Sequence, residues 1–154
     1  MPAGDVKEAF IKIAHFMPNP MQEEVFPYIA DPKADCALLL KAPTGSGKTE
    51  AVMVPCLWSI LNGNQRRRLW MIYPARSLVE DQIRRIEQIQ RDLSCQTGKD
   101  LSFVVDTGGE SRRVVFHQGE QNEEGRRHLY DGDLIVTTLD KFLYRFFGFG
   151  EEKK

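Results

Sequence analysis

The sequence has few cysteines, no long apolar run and no signal peptide, and each absence argues against a class of protein. Of its 154 residues only three are cysteine, and Cys36, Cys56 and Cys95 form no CxxC pair. This argues against a disulfide framework or a zinc site, so we expect the thiols to be buried as small apolar groups. No apolar run approaches the roughly 20 residues of a membrane span, and the N-terminus lacks the apolar core of a signal peptide. We therefore expect a cytoplasmic protein with no membrane partner.

The sequence also lacks a charge imbalance. Lys and Arg together number 21, Asp and Glu number 22, and the formal net charge is −1. Such a chain has no overall attraction to nucleic acid, so any nucleic-acid site must be a local patch. The length suits one domain. The 42% hydrophobic and 28% charged residues are typical of a soluble globular protein.

Short apolar runs alternate with helical patterns along the chain. Residues 5–16 have helical spacing, and Pro20 is suited to open a short second helix. A third helix is predicted from Gly47 or Lys48 to about Leu61, and a fourth along residues 76–93. The apolar face of the fourth helix consists of Leu78, Ile83, Ile86, Ile89 and Leu93.

The apolar runs themselves have the length and composition of strands that are buried on both faces. Residues 112–120 are predicted to form an extra strand and residues 122–133 a polar connector. Residues 141–150 are predicted to be either the aromatic start of a helix or a hinge. The alternation predicts an α/β fold with a doubly wound, mainly parallel sheet and helices on both faces. The four buried strands are predicted in residues 35–43, 66–75, 101–109 and 133–140.

A phosphate-binding loop is predicted between the first of these strands and the helix after it. Its sequence, "APTGSGKT", has the spacing of a phosphate loop, with Ala42 where glycine is common. Gly45 and Gly47 permit backbone conformations and close approaches that a side chain would block. Lys48 is expected to reach the β- and γ-phosphates of a nucleotide, and Thr49 to offer its hydroxyl to Mg²⁺, which makes these two the predicted catalytic residues. The predicted nucleotide-binding loop comprises Ala42, Pro43, Thr44, Gly45, Ser46, Gly47, Lys48, Thr49 and Glu50.

With this loop the sequence resembles helicase superfamily 2, whose first motif is often Ala-Pro-Thr-Gly-x-Gly-Lys-Thr. Four further segments of the chain agree in the order of that family. "PNPMQEEVF" resembles its glutamine motif, "YPARSLVEDQ" its next motif, and "DTGG" and "IVTTLD" its later loops. The resemblance implies a RecA-like domain, ATP and Mg²⁺ as cofactors, and Gln22 as the residue that reads the adenine edge.

The resemblance also implies that the later loops contact the sugar-phosphate backbone of one nucleic-acid strand, taken here as single-stranded DNA. Donors of this kind fix the position of a strand without reading its sequence. Alternatively, the glycines of "DTGG" form an ordinary turn. The residues implied for this contact are Arg76, Gly108, Gly109, Thr137, Thr138 and Asp140.

A narrower resemblance is to the CRISPR-associated helicases of type I interference systems. It rests on "APTGSGKTEA" and "IVTTLDKFLYRFFGFG", in which Thr138 and Asp140 form a Thr-x-Asp sequence. The resemblance implies a role in antiviral defence and a CRISPR surveillance complex as a partner. Members often carry a nuclease domain with a His-Asp pair. This sequence contains no such pair, so no nuclease activity is expected.

The acidic motif of these motors, Asp-Glu-x-His or similar, has no convincing match. Asp106 follows an apolar run, but Thr107 stands where glutamate is needed. We expect residues 1–35 to be an N-terminal helix and glutamine-motif segment, residues 36–148 an incomplete first motor domain, and residues 149–154 a tail. The remainder of the helicase would supply the acidic motif and a second domain. The chain alone is therefore expected to bind ATP without hydrolysing it.

Two other functions are compatible with parts of the sequence. A small phosphate-loop kinase would take its lid arginines from residues 124–128, although such kinases seldom carry Gln22 and the segment around Arg76. A non-catalytic docking module would use the aromatic residues 142–149 as a binding surface. The same aromatic residues could equally be part of a core.

Overall fold

A computed structural model describes residues 3–31, 33, 37–63, 68–124 and 131–148. The chain forms two compact units, Met1–Arg67 and Arg68–Lys154. The first unit is helical and the second contains a five-stranded sheet. Within the described part of the chain, no helix is both long enough and apolar enough to cross a bilayer.

The first unit contains helices α1 (Ala3–Ala14), α2 (Pro20–Ala30) and α3 (Lys48–Leu61). Their beginnings follow from local chemistry, because Pro20 has the fixed φ of a first helical turn and Gly47 precedes α3 in the left-handed region. The predicted helix from Lys48 to Leu61 is confirmed. Phe10 of α1 and Phe26 of α2 are fully buried, with their ring centroids 6.3 Å apart, and form part of the core of this unit.

The buried strand predicted in residues 35–43 is wrong for its described part. Residues 37–43 form neither helix nor strand. Leu39 is 97% exposed and Leu38 is 50% exposed. An apolar run takes up strand geometry only where neighbouring strands accept its backbone hydrogen bonds and cover its side chains. The composition of the run predicts burial but does not provide those neighbours.

The second unit contains β1 (Leu69–Tyr73), α4 (Ser77–Thr97), β2 (Leu101–Asp106), β3 (Ser111–His117), β4 (Glu120–Glu124), β5 (Leu134–Thr138) and α5 (Leu139–Phe146). The sheet order is β1-β5-β2-β3-β4. Strands β1, β5 and β2 are parallel, whereas β3 and β4 are antiparallel additions at one side. The α/β class is confirmed, and the sheet is mixed with a parallel core.

The register of the parallel core brings three strand ends to one edge of the sheet. Tyr73 of β1 lies opposite Thr138 of β5, and Asp106 of β2 lies opposite Thr137. The loops that follow β1 and β2 therefore leave the sheet beside the start of α5. In a parallel sheet this edge is where ligands usually bind.

Three local predictions are wrong, two of them in this unit and the third in both units. The polar connector predicted in residues 122–133 begins inside β4, because a turn with positive φ at Gln118 and Gly119 folds this segment back against β3. Leu78 lies in the first turn of α4 and is half exposed, away from the apolar face of that helix. Cys95 is exposed and Cys56 is only partly buried, so these thiols are not core residues.

Candidate functional site

The phosphate-binding loop forms a tight turn at residues 44–46 immediately before α3. Gly45 has φ 80° and Gly47 has φ 81°, both in the left-handed region that glycine adopts without a steric penalty. The loop leads directly into the N-terminus of a helix of 14 residues. The backbone N–H groups and the dipole at such a terminus favour a bound anion.

The Lys48 side chain folds back over this loop. Its Nζ donates hydrogen bonds to the backbone oxygens of Ala42, at 2.8 Å, and Pro43, at 2.6 Å. These carbonyls hold the ammonium group within the loop that the sequence predicts for phosphate. A phosphate oxygen would compete with the two carbonyls for the same donor, and a charged acceptor makes the stronger hydrogen bond.

Two side chains at the start of α2 support the loop from outside. Asn19 Nδ2 donates to the Ser46 oxygen at 3.1 Å, and Gln22 Nε2 donates to the Gly47 oxygen at 3.1 Å. Asn19 and Gln22 also form a capping box, in which Gln22 Oε1 accepts from the Asn19 N–H at 2.9 Å. A Cβ at Gly47 would overlap with Gln22 Nε2, so this glycine is required by close approach as well as by its φ.

Gln22 is the residue predicted to read adenine, but the hydrogen bonds of its side-chain amide are already made within the chain. The side chain is buried, and both ends of its amide bind this chain. An adenine base would have to share or replace one of these partners. The sequence did not indicate the contact between Gln22 and the loop, although the Asn-x-x-Gln spacing of a capping box was visible.

The remaining loop residues have the chemistry that a nucleotide triphosphate with Mg²⁺ needs. Thr49 is partly buried in the first turn of α3, and Glu50 beside it is buried. In the described ranges, no group of three His, Cys, Asp or Glu residues could hold a metal ion by itself. A magnesium ion here would therefore depend on the Thr49 hydroxyl and on phosphate oxygens.

The second unit brings together most of the residues that were predicted to contact nucleic acid. The Arg76 guanidinium lies directly over Gly108 and Gly109, which follow β2. Asp140, in the first turn of α5, is exposed and close enough to Arg76 for its charge to matter. The hydroxyl of Thr138 is the main cause that lowers the pKa of Asp140, and backbone N–H groups and the Arg76 charge add to the effect.

Thr137 and Thr138 are both buried at the end of β5, unlike the exposed residues in this set. The Thr137 hydroxyl donates to the backbone oxygen of Asp106 at 2.6 Å. The hydroxyl therefore ties β5 to the end of β2 inside the protein. The sequence could not distinguish this internal role from a surface contact, because the burial of both threonines depends on how the neighbouring strands and α5 cover the end of β5.

Asp106 is engaged in a buried ion pair that the sequence did not reveal. Its carboxylate accepts hydrogen bonds from Ser111 Oγ, at 2.6 Å, and from Arg145 Nη2, at 3.1 Å, and it also pairs with Arg145 Nε. Arg145 belongs to α5, nearly 40 positions along the chain, and its only signal was a lone cation within an aromatic segment. Asp106 is thus a poor candidate for the missing acidic motif, because its charge is already compensated.

An apolar cleft of about 500 Å³ opens beside this pair. Its walls include Trp70 and Ile72 of β1 and Phe142 and Phe146 of α5. The rings of Trp70 and Phe142 meet edge to face at 5.6 Å, and those of Phe142 and Phe146 stack at 5.7 Å. The predicted aromatic helix start is confirmed as α5, and much of its aromatic surface is exposed.

Comparison with known proteins gives both a family and individual relatives. The family model described as "DEAD/DEAH box helicase" matches residues 19–154. The chain is 31% identical over 135 residues to the activating signal cointegrator 1 complex subunit 3 of Gallus gallus, which covers 88% of this chain and 5% of that protein. It is 30% identical over 135 residues to the Danio rerio protein of the same name, covering 88% of this chain and 7% of that protein.

A third relative comes from an archaeon. The chain is 29% identical over 113 residues to the CRISPR-associated helicase Cas3 of Thermoproteus tenax, covering 73% of this chain and 18% of that protein. The chain thus spans between 5% and 18% of the length of these three relatives. No solved structure gave a significant match.

Proposed function

Because the chain belongs to the DEAD/DEAH box helicase family, we propose that it is the ATP-binding front part of an ATP-dependent helicase that moves along single-stranded DNA. Its fold is an incomplete RecA-like α/β domain, and its family is one of ATP-binding motors. In this proposal residues 1–35 carry the glutamine motif, residues 36–148 form the first motor domain and residues 149–154 are a tail. The kinase alternative is not favoured, since the match to the helicase family covers residues 19–154.

The observation that carries the proposal is the phosphate loop with its two external supports. Lys48 is already directed into the loop, and Asn19 and Gln22 hold the backbone of Ser46 and Gly47 from the other side. ATP with Mg²⁺ would supply the phosphoryl group whose transfer to water drives the motor. Lys48 would then exchange its two carbonyl partners for phosphate oxygens, and the Thr49 hydroxyl would face the metal.

Adenine would be selected next to Gln22. Phe10 and Phe16, which precede Gln22 in the chain, are the two candidates for the ring that stacks on the base. Phe10 is fully buried, whereas Phe16 is partly exposed and lies three residues before Asn19. We therefore assign the stacking role to Phe16. Competition of GTP and ATP for a labelled ATP analogue tests this, and Phe16→Ala should weaken both adenine binding and the preference for ATP.

The nucleic-acid site would lie at the carboxyl edge of β1, β5 and β2. Arg76 would contact phosphate, with Thr138 and Asp140 beside it at the start of α5. Thr137 would contribute only by holding β5 to β2, since its hydroxyl is already engaged. With a net charge of −1 and one prominent cation, binding of a single strand should be weak and sensitive to salt.

The relatives suggest two cellular settings. One is named as a CRISPR-associated helicase and the others as a subunit of a signal cointegrator complex. We favour CRISPR type I interference, with a surveillance complex as partner, because of the Thr-x-Asp sequence at Thr138–Asp140. Co-purification of the full-length protein from its own host would test this, and recovery without CRISPR proteins would favour the second setting.

Hydrolysis by the full-length protein tests the proposed activity. We expect ATP turnover that increases when single-stranded DNA is added and that disappears in Lys48→Ala. Lys41→Ala is a matched control, because Lys41 is an exposed lysine immediately before the loop. Stimulation by single-stranded RNA but not by DNA would contradict the assigned substrate.

A further inference from the structure

Gly108 and Gly109, called here the glycine doublet, do not have the positive φ that usually requires glycine. Neither residue is among those with positive φ, so the backbone conformation would accept a side chain. What a side chain here would displace is the Arg76 guanidinium. A Cβ at Gly108 would lie 2.6 Å from Arg76 Nη2, and one at Gly109 would lie 3.0 Å from the guanidinium carbon. Both distances are too short for ordinary contact, and all three closest atoms at each position belong to Arg76.

We propose that Gly108–Gly109 is a seat for the Arg76 guanidinium, and that the doublet acts on nucleic acid through this arginine rather than through its own N–H groups. The inference rests on the proposed nucleic-acid function. The flat guanidinium lies on backbone without side chains, so its forked donors are held in one place. Holding the donors in place lowers the entropy that is lost when they bind a phosphate.

The surroundings of Arg76 suggest a second consequence. Asp140 faces it from α5, and the acidic residues Glu80 and Glu110 line the same cavity of about 270 Å³ as Arg76. The negative charge of these carboxylates competes with phosphate for the guanidinium, although Glu110 is itself paired with Arg112. Asp140 therefore weakens the binding of a nucleic-acid strand and does not contact the strand itself. Its replacement by asparagine should tighten the complex with a single strand by about two- to fivefold.

A double-mutant cycle on the 154-residue chain distinguishes two ways in which the doublet could act on nucleic acid. It could position Arg76, or it could bind phosphate with its own N–H groups. Binding of a fluorescein-labelled oligothymidylate is measured across a range of salt for wild type, Arg76→Ala, Gly108→Ala and the double variant. The slope of log affinity against log salt is negative, and each phosphate that loses its cation should make it less steep by about 0.7. We expect this loss in Arg76→Ala and in Gly108→Ala, with no further loss in the double variant.

Direct binding of phosphate by the N–H groups of the doublet predicts a different salt slope. A neutral N–H group releases no counterions, so a doublet that binds phosphate by its own N–H groups would leave the salt slope of Gly108→Ala unchanged. An unchanged slope would overturn the proposal. So would a Gly108→Ala substitution that weakens strand binding equally in the wild-type and Arg76→Ala proteins. Arg84→Ala, which removes an exposed cation from α4, controls for general loss of positive charge. A melting curve is measured for each variant. Gly108→Ala should have the melting temperature of the wild type, because only the end of the Arg76 side chain must move.

A second measurement needs no nucleic acid. The pKa of Asp140 is followed by NMR titration of its carboxyl group in the same variants. Arg76→Ala and Gly108→Ala should both raise it, because each takes the guanidinium away from the carboxylate. If Arg76→Ala raises the pKa and Gly108→Ala does not, Gly108 does not position the guanidinium and the proposal is wrong. If both raise it but no variant binds a single strand, the seat holds and the proposed nucleic-acid function fails.

Discussion

The Arg145 guanidinium of α5 is ion-paired with the Asp106 carboxylate at the end of β2, with Nη2 and Oδ1 3.1 Å apart. Asp106 is buried, and Ser111 supplies a further hydrogen bond from β3. The pair therefore fixes α5 against the carboxyl edge of the sheet. It also places the start of α5, with Asp140, beside the loop that carries the glycine doublet.

Arg145→Met should destabilise the second unit by about 3 kcal/mol, because it leaves a carboxylate buried without its counter-charge. Asp106→Asn should cost less, since Arg145 is the more exposed partner and can turn towards water. The double variant Asp106→Asn/Arg145→Met should recover much of the loss. Urea unfolding of the three variants gives these values. Additive losses in the double variant would contradict a coupled pair.

Gln90 of α4 should be replaceable with a gain in stability. It is completely buried, and neither end of its amide has a hydrogen-bond partner among the residues that the structure describes. Gln90→Met keeps the length of the side chain and removes two polar groups, so we expect the free energy of unfolding to rise by about 1–3 kcal/mol.

Gln88→Met on the same helix is the control for this substitution. Gln88 is exposed and donates to Asp92 at 2.8 Å, so its replacement should change stability by less than about 0.5 kcal/mol. If Gln90→Met lowers the denaturation midpoint instead, the amide has a partner such as an internal water, and its hydrogen bonds contribute to stability.

The pKa of Asp140 should rise in Thr138→Val, because the Thr138 hydroxyl is the main cause that lowers it. A carboxyl with a lowered pKa contributes stability above its unfolded value, here 3.8, and loses it as pH falls through the folded pKa. The part of the substitution's effect on stability that acts through the Asp140 charge should therefore vanish in strong acid. NMR titration of the Asp140 carboxyl measures the shift. A pKa that is the same in both proteins would rule out the hydroxyl as its cause.

The sequence was most informative where local chemistry decides the structure. Gly45, Gly47 and Lys48 predicted a turn that leads into a helix, because positive φ and a helix N-terminus depend on neighbours in the chain. The all-buried strand β2 was also predictable from its apolar composition. The predicted roles of Lys48 and Thr49 in ATP binding remain predictions.

The sequence was least informative where contacts join distant segments. Whether Leu39 is covered depends on partner strands, and its apolar run alone predicted burial that the structure does not show. The pairing of Asp106 with Arg145 and the seating of Arg76 on Gly108 arise from the sheet order and register. Residues 126–128, which hold the lid arginines of the kinase alternative, lie outside the described residues, as does Cys36.

The 154-residue chain should bind ATP without measurable turnover. Asp106 is compensated by Arg145 and Asp140 is beside Arg76, so neither is a suitable carboxylate to orient the attacking water. Arginine fingers in related sites contribute about 10³ to 10⁵ in rate. Phosphate release in the presence of single-stranded DNA is the assay. Turnover that is lost in both Lys48→Ala and Asp140→Asn would show that Asp140 is the acidic residue after all.

Titration calorimetry of ATP into the isolated chain tests the central claim most directly. The wild-type chain should bind ATP with Mg²⁺, and Lys48→Ala should lose most of that affinity, because it removes the only charged donor directed into the loop among the described residues. Lys41→Ala should bind as wild type does. Equal affinity in wild type and Lys48→Ala, or no binding by the folded wild-type chain, would contradict the assignment of residues 42–50 as a nucleotide site.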